Sequence, residues 1–224
     1  QVGFGFMDGG GFEGLRVKFI RGGHSIYAQF ASKLPDTWEA ITEYDALYGN
    51  EIFTDTKPPG VLLFHIVCQK ISNTINPVTG YKNIYFRLTS FMAYTFPLLS
   101  MLVLVMIYSF SKPYLSDEVR IYPLILYVFL PNVLLMSLEI DQVFFPFLFM
   151  AGMLLWQKTL EQRSLVWAFA CGFYIYLSLY FTFSMLPVLP MLVLWTIIDY
   201  FYYQKRNLLK HIILLFVSMG VGVI

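Results

Sequence analysis

The sequence predicts an all-α fold: a multi-pass transmembrane helical bundle with short amphipathic juxtamembrane helices in a large first extracytoplasmic loop. Three observations lead there. Hydrophobic residues make up 58% of the chain and charged residues 13%, against roughly 45–50% and 25% in ordinary globular proteins; the mean hydropathy is +0.63. Aromatic residues reach 19%, with 16 Tyr and 22 Phe, which suits a protein that meets lipid and the headgroup zone. The apolar residues are also segregated: residues 1–85 are mixed, polar and punctuated by Gly and Pro, whereas 86–224 alternate apolar runs with short charged loops. These two stretches are read as a first loop with interfacial helices and a transmembrane part of about six helices.

The elements follow in order. Residues 12–20 place Phe12, Leu15, Phe19 and Ile20 on one helical face, and residues 38–48 offer a weaker amphipathic stretch. Such segments lie in the membrane interface and join the outer ends of the spans. TDTKPPG then runs into the apolar VLLFHIVCQKI. Proline fixes φ and lacks an N–H, so Pro58 and Pro59 suit a turn into a helix start, with Asp55 or Thr56 available as caps. The prolines leave Lys57 unexplained. Beyond it lie apolar spans at about 86–110, 121–138, 143–156, 165–180, 184–198 and 208 onward. Crossing the hydrocarbon core takes about 20 apolar residues, with about 17 as the lower limit. The third span is therefore short unless it extends back through Asp141.

Loop charges orient the spans. Lys112 and Arg120, then Lys158 and Arg163, then Lys205, Arg206 and Lys210 mark three loops, which the bias of basic residues places inside. Two of these loops flank residues 165–198, so that stretch must cross an even number of times: a hairpin turning near Thr182. The same alternation puts residues 1–85 and the acidic SLEIDQ loop on the outer face. The chain starts without Met and stops inside an apolar run, and is read as a piece of a longer membrane protein with a helix before residue 1 and more after residue 224.

Composition also excludes some functions. A net charge of +1 and the absence of a basic tract argue against a nucleic-acid partner. Cys68 and Cys171, the two cysteines, lie in unrelated segments, so neither a disulfide between them nor metal binding through sulfur is expected.

Most acids of the outer face read as solvated surface. Asp141, in LEIDQVFFPF, has apolar residues on both sides and is costly to keep charged unless it faces a partner or a wet cavity; a carboxylate favoured by a helix N-terminus is the competing reading. Glu139 falls two residues earlier and is expected to point elsewhere on a helix. Asp8, in FMDGGGF, follows a short apolar remnant, and the glycines after it permit a tight turn or close approach to a ligand; a flexible end is the alternative.

In this order the residues resemble membrane glycosyltransferases of the GT-C class, nearest the branch of the dolichyl-phosphate-mannose protein mannosyltransferases and the aminoarabinose transferase of lipid A. The first outer loop of that branch reads as an acid, an amphipathic helix, a glycine step with a tyrosine, and a Lys-Pro-Pro turn. Here those are Asp8, residues 12–20, Gly22–Gly23 with Tyr27, and Lys57-Pro58-Pro59-Gly60. PNVLLMSLEIDQVFFPF resembles the second outer loop. Two departures stand out. The gap from Gly23 to Lys57 looks extended by QFASKLPDTWEAITEYDAL, which makes Asp36 a rival for the first-loop acid. Where relatives often carry a downstream lysine, the chain reads LSLYFTFSM, so a donor contact there stays open.

The resemblance implies an enzyme that takes sugar from a polyprenyl-phosphate donor to an unidentified acceptor at the extracytoplasmic or lumenal face of the bilayer, with inversion. Lys57 would bind the donor phosphate, and Asp8 would act as base. Asp141, with Glu139, would orient the acceptor or hold a divalent cation such as Mg or Mn. Arg16, Arg21 and His24 are secondary phosphate candidates or ordinary interfacial basic residues; no spacing singles out Tyr27 or His65. A transporter or flippase, and a non-catalytic membrane subunit, are the alternatives. The near-absence of ionisable residues deep in the spans weighs against transport.

Overall fold

A computed structural model describes residues 9–49, 57–135, 138–203 and 209–221. Among them the chain is all helix, without a strand. Asp8 lies outside the described residues. The chain divides into two compact units, one from Gln1–Leu102 with Leu126–Phe144, the other from Val103–Ile125 with Phe145–Ile224.

In the first unit, α1 (Gly11–Arg21) carries Glu13 in its first turn and Lys18 and Arg21 in its last, both signs matched to the helix dipole. It buries Leu15 and Phe19, one turn apart on one face. Gly22 and Gly23 end it and lead into α2 (Ser25–Ser32), which buries Tyr27, Ala28, Phe30 and Ala31. Leu34 adopts a left-handed φ of 54° just before Pro35, breaking the chain away from α2. The stretch at 38–48, read as one amphipathic segment, is two short helices, α3 (Thr37–Thr42) and α4 (Tyr44–Tyr48), parted at Glu43. The Thr42 hydroxyl donates to the Trp38 carbonyl at 3.0 Å, a back-bond that competes with helix continuation.

Pro58 and Pro59 start α5 (Gly60–Ile75): the Pro59 φ is −63°, a value its ring imposes, and its carbonyl accepts from Leu63 N–H at 3.0 Å. Helix α5 packs against α2. Its Phe64 meets Phe96 of α6 (Tyr81–Ser111) and Phe144 of α9 (Ile140–Gln162) at ring-centroid distances of 6.2 and 4.5 Å. Phe19 meets Phe96 edge-on at 5.7 Å, so one aromatic cluster ties α1, α5, α6 and the start of α9 together.

Among the described residues, three helices are long and apolar enough to cross a membrane: Tyr81–Ser111, Ile140–Gln162 and Phe183–Phe201. Along the first, Leu98, Met101, Leu102 and Val105 are exposed, as a lipid-facing stripe requires. The span expected at 121–138 is instead broken into α7 (Ile121–Val128) and α8 (Pro131–Leu135). Pro131 lacks the N–H for a continuing ladder, and a proline disfavours the helical region for the residue before it. The third span does extend back through Asp141 and runs 23 residues.

In the second unit, residues 165–198 divide into α10 (Leu165–Leu179) and α11 (Val188–Tyr203), joined through a 3₁₀ turn at Phe183–Met185. Thr182 caps that turn, its hydroxyl accepting from Ser184 N–H at 3.1 Å, so the break falls where loop charge required it. Helix α10 packs on α12 (Leu209–Val221) so closely that a Cβ on Gly172 would run into Ser218 Oγ and the Leu215 carbonyl. The Trp156 indole donates to Thr196 Oγ1 at 3.1 Å, and Tyr174 O–H donates to the Leu148 carbonyl at 3.0 Å. Cys68 and Cys171 are free thiols, each buried.

Candidate functional site

Three segments of the first unit converge on one charged cluster. Lys57 arrives immediately before the two prolines. Glu139 and Asp141 arrive at the start of α9, where the buried Ile140 and Val143 fix the chain. His24 arrives from the glycine turn between α1 and α2. Lys57 Nζ donates to Asp141 Oδ2 at 2.6 Å. His24 Nδ1 meets Glu139 Oε2 at 2.7 Å, and its Nε2 stands 3.5 Å from the same Asp141 Oδ2. The four side chains retain between 14% and 25% of their exposure. Charges so placed interact more strongly than at a surface yet remain reachable from outside.

The local sequence accounts for this convergence. Gly22 stands against Glu139 so closely that any Cβ would collide with Oε1, so a residue without a side chain admits the carboxylate. Glu139 precedes the first residue of α9, and helical spacing therefore does not turn it away from Asp141; both carboxylates face His24. That corrects the expectation that Glu139 points elsewhere. Asp141 also sits in the first turn of α9, where the dipole favours a negative charge. The dipole reading and the site reading hold together.

Behind the cluster lies an aromatic and imidazole layer. Tyr27 has no exposed surface. Its hydroxyl is held far above the usual phenol range, by burial first, then by the charge of Tyr44, a hydrogen bond with Tyr44, and the charge of Asp141. The His24 ring stacks at 6.3 Å on Tyr27, which in turn lies 5.5 Å from His65. Burial pushes His65 down to about 4, aided by the neighbouring charge of His24 and opposed by the bond to the Val61 carbonyl.

Asp141 has one further feature: Oδ1 is buried and has no hydrogen-bond partner among the described residues. A desolvated carboxylate oxygen left open calls for a donor. A ligand hydroxyl is such a donor.

The remaining sequence candidates lie elsewhere or outside the described residues. Asp36, the rival acid, is exposed and caps α3, accepting from Trp38 N–H at 2.9 Å and Glu39 N–H at 3.0 Å. Arg16 pairs with Glu13 on its own helix and lies over the Phe86 ring, 4.2 Å from its centroid. Arg21 is exposed in the last turn of α1, and among the described residues no ion pair joins it to the cluster. Among the described residues no set of three His, Cys, Asp or Glu is placed to hold a metal ion, and an ammonium already holds Asp141 Oδ2. His24, named from the sequence as a secondary phosphate candidate, instead pairs with the two carboxylates, which sequence reasoning did not anticipate. The one signal for it was its place directly after the glycine pair.

Compared with models of known families, with curated proteins and with solved structures, the chain matches none. The site's own chemistry carries the functional reading.

Proposed function

We propose that this protein is a multi-pass membrane glycosyltransferase, transferring a sugar from a polyprenyl-phosphate donor to an acceptor hydroxyl at the extracytoplasmic face. The observation that supports it is the 2.6 Å pair between Lys57, stiffened by two prolines, and Asp141, with Glu139 beside it. An ammonium at a helix start, partly buried and close to apolar spans, suits the phosphate of a donor whose tail stays in lipid.

The donor phosphate competes with Asp141 for the Lys57 ammonium. Once it wins, Lys57 neutralises the charge that grows on the phosphate as the sugar leaves. Asp141, released from its partner, offers Oδ1 and Oδ2 to hydroxyls of the acceptor. Displacement in one step inverts the anomeric carbon. The resemblance assigns the base to Asp8, with Asp141 orienting the acceptor, and the rival Asp36 drops behind because its carboxylate is committed to a cap.

The test uses the protein in lipid nanodiscs with synthetic polyprenyl-phosphate hexoses and pentoses, offered with peptide, glycolipid and glycan acceptors in turn. Wild type is expected to release polyprenyl phosphate in step with acceptor glycosylation. Lys57→Ala is expected to lose about 100-fold or more, as for removal of a charge-stabilising donor, with Lys57→Arg partly active. Equal rates in wild type and Lys57→Ala would reject the assignment. Lipid movement across the bilayer without sugar transfer would favour a flippase, and neither activity a non-catalytic subunit.

A further inference from the structure

We infer that a cavity beside the C-terminal half of α5 binds an acidic saccharide, a part of the acceptor that does not react; this rests on the glycosyltransferase reading. The cavity measures about 470 Å³, within the roughly 300–1,000 Å³ of small-molecule sites. Helices α2 and α3 both pack on α5. The chain leaves α2 at Leu34, whose φ of 54° turns it away, and Pro35 carries it on toward α3. Ala31, Leu34 and Pro35 form one wall of the cavity, and Ile66 adds an apolar patch from α5.

Gln69 carries the inference. It falls one turn after Ile66, on the face of α5 that also buries Leu62, where an apolar side chain would continue the packing. It is 3% exposed and lines the cavity, and among the described residues its amide makes no hydrogen bond. A desolvated amide is costly to leave unmatched. A ligand in the cavity supplies the match.

The neighbours of Gln69 set the chemistry of that ligand. Asn73 Oδ1 accepts from Val78 N–H at 3.0 Å, which leaves Nδ2 as the group Asn73 offers. Lys70 Nζ gives one proton to Thr37 Oγ1 at 2.8 Å and keeps the others. Thr74 donates its hydroxyl proton to the Lys70 carbonyl at 2.8 Å, so only its oxygen lone pairs remain. Donors outnumber acceptors, and among the described residues no carboxylate lines the cavity. The fitting ligand is rich in acceptor oxygens, carries negative charge and has an apolar face for the Leu34, Pro35 and Ile66 wall. A sugar ring bearing a carboxylate has all three, with oxygens at its edge and C–H groups on its face.

Gly60 and Lys70 stand about 15 Å apart along α5, and Lys57 precedes Gly60. The sugar transferred beside Lys57 is shorter than that separation, so the cavity holds a more distant unit of the acceptor. Contacts with a non-reacting part of a substrate orient the part that reacts.

The experiment titrates wild type, Gln69→Met, Lys70→Met and Lys70→Arg in phosphatidylcholine nanodiscs, without donor, against trigalacturonate, maltotriose and triglutamate. Calorimetry reads the affinity, and the thermal midpoint of each variant is taken alongside. Wild type is expected to bind trigalacturonate saturably with a Kd below about 1 mM, and maltotriose about tenfold or more weakly. Gln69→Met, which preserves length and burial, should weaken trigalacturonate about tenfold while its midpoint holds or rises. Lys70→Met should bring trigalacturonate down to the level of maltotriose, and Lys70→Arg should retain it. Undisturbed binding in Gln69→Met, equal affinity for the two trisaccharides, or no binding of either overturns the inference. Triglutamate bound as tightly as trigalacturonate also overturns it, and makes the cavity a site for acidic peptide. A wild type that transfers sugar yet binds no trigalacturonate removes this inference alone. One that binds trigalacturonate and transfers no sugar removes the glycosyltransferase reading and leaves the saccharide site standing.

Discussion

His65 lies fully buried on α5, its Nδ1 donating to the Val61 carbonyl at 2.8 Å while Nε2 finds no partner among the described residues. The fold accepts it only as the neutral ring, and burial holds its pKa down to about 4. In the unfolded chain an imidazole titrates near 6.5. Above that value both states are neutral and His65 adds no pH dependence. As the pH falls from about 6.5 toward 4 the unfolded chain takes up a proton that the folded one refuses, so stability is lost across that window, by about 3 kcal/mol for the full shift. His65→Leu is expected to be at least as stable as wild type at pH 7 and increasingly the more stable of the two by pH 4.5, measured as thermal midpoints in detergent. Parallel pH curves would show that His65 takes up its proton in the folded state as well. At this scale the sequence revealed part of the site. Lys57 stood out because two prolines fix it beside an apolar helix, and Asp141 because hydrophobic flanks make a carboxylate costly. His24 did not, since its partner Glu139 is 115 residues away in sequence and no local pattern encodes that contact.

Helix boundaries were legible where a single residue dictates them. Pro58 and Pro59 mark the start of α5, and Gly22 the end of α1. Loop charge located the break between α10 and α11. The break at Leu130 and Pro131 was passed over because the apolar content of 121–138 runs through it: hydropathy reports what lipid tolerates and says little about the backbone ladder. Asp36 is a clear case of an acid whose role belongs to an element. Its carboxylate accepts two backbone N–H groups of α3, and the loss of such a cap costs about 1 kcal/mol. Asp36→Ala is therefore expected to lower the thermal midpoint by a few degrees and leave sugar transfer within about twofold of wild type. A loss of transfer on the scale expected for Lys57→Ala, with the midpoint unmoved, would reinstate Asp36 as the acid of the first loop.

For the whole molecule, the Lys57–Asp141 pair constrains topology. The two residues are hydrogen-bonded, so they lie on one side of the membrane. Between them runs Tyr81–Ser111, long and apolar enough to cross once. If it does cross, the chain has to cross back before Asp141, and residues 121–138 are what remains to do it. Yet that segment is two short helices, and its described helical part spans about 20 Å at 1.5 Å per residue, less than the core of about 30 Å. If this return crossing exists, Lys112 and Lys158, which follow the first and third spans, share the cytoplasmic side, as their charge requires. Without it they fall on opposite sides. Single cysteines in a background lacking Cys68 and Cys171 decide between these outcomes, because Lys33, Lys112 and Lys158 are all exposed. Lys33→Cys is expected to react with an impermeant maleimide in intact cells, and Lys112→Cys and Lys158→Cys only after the membrane is opened. Labelling of Lys158→Cys in intact cells would break the alternation and remove the extracytoplasmic placement of the site.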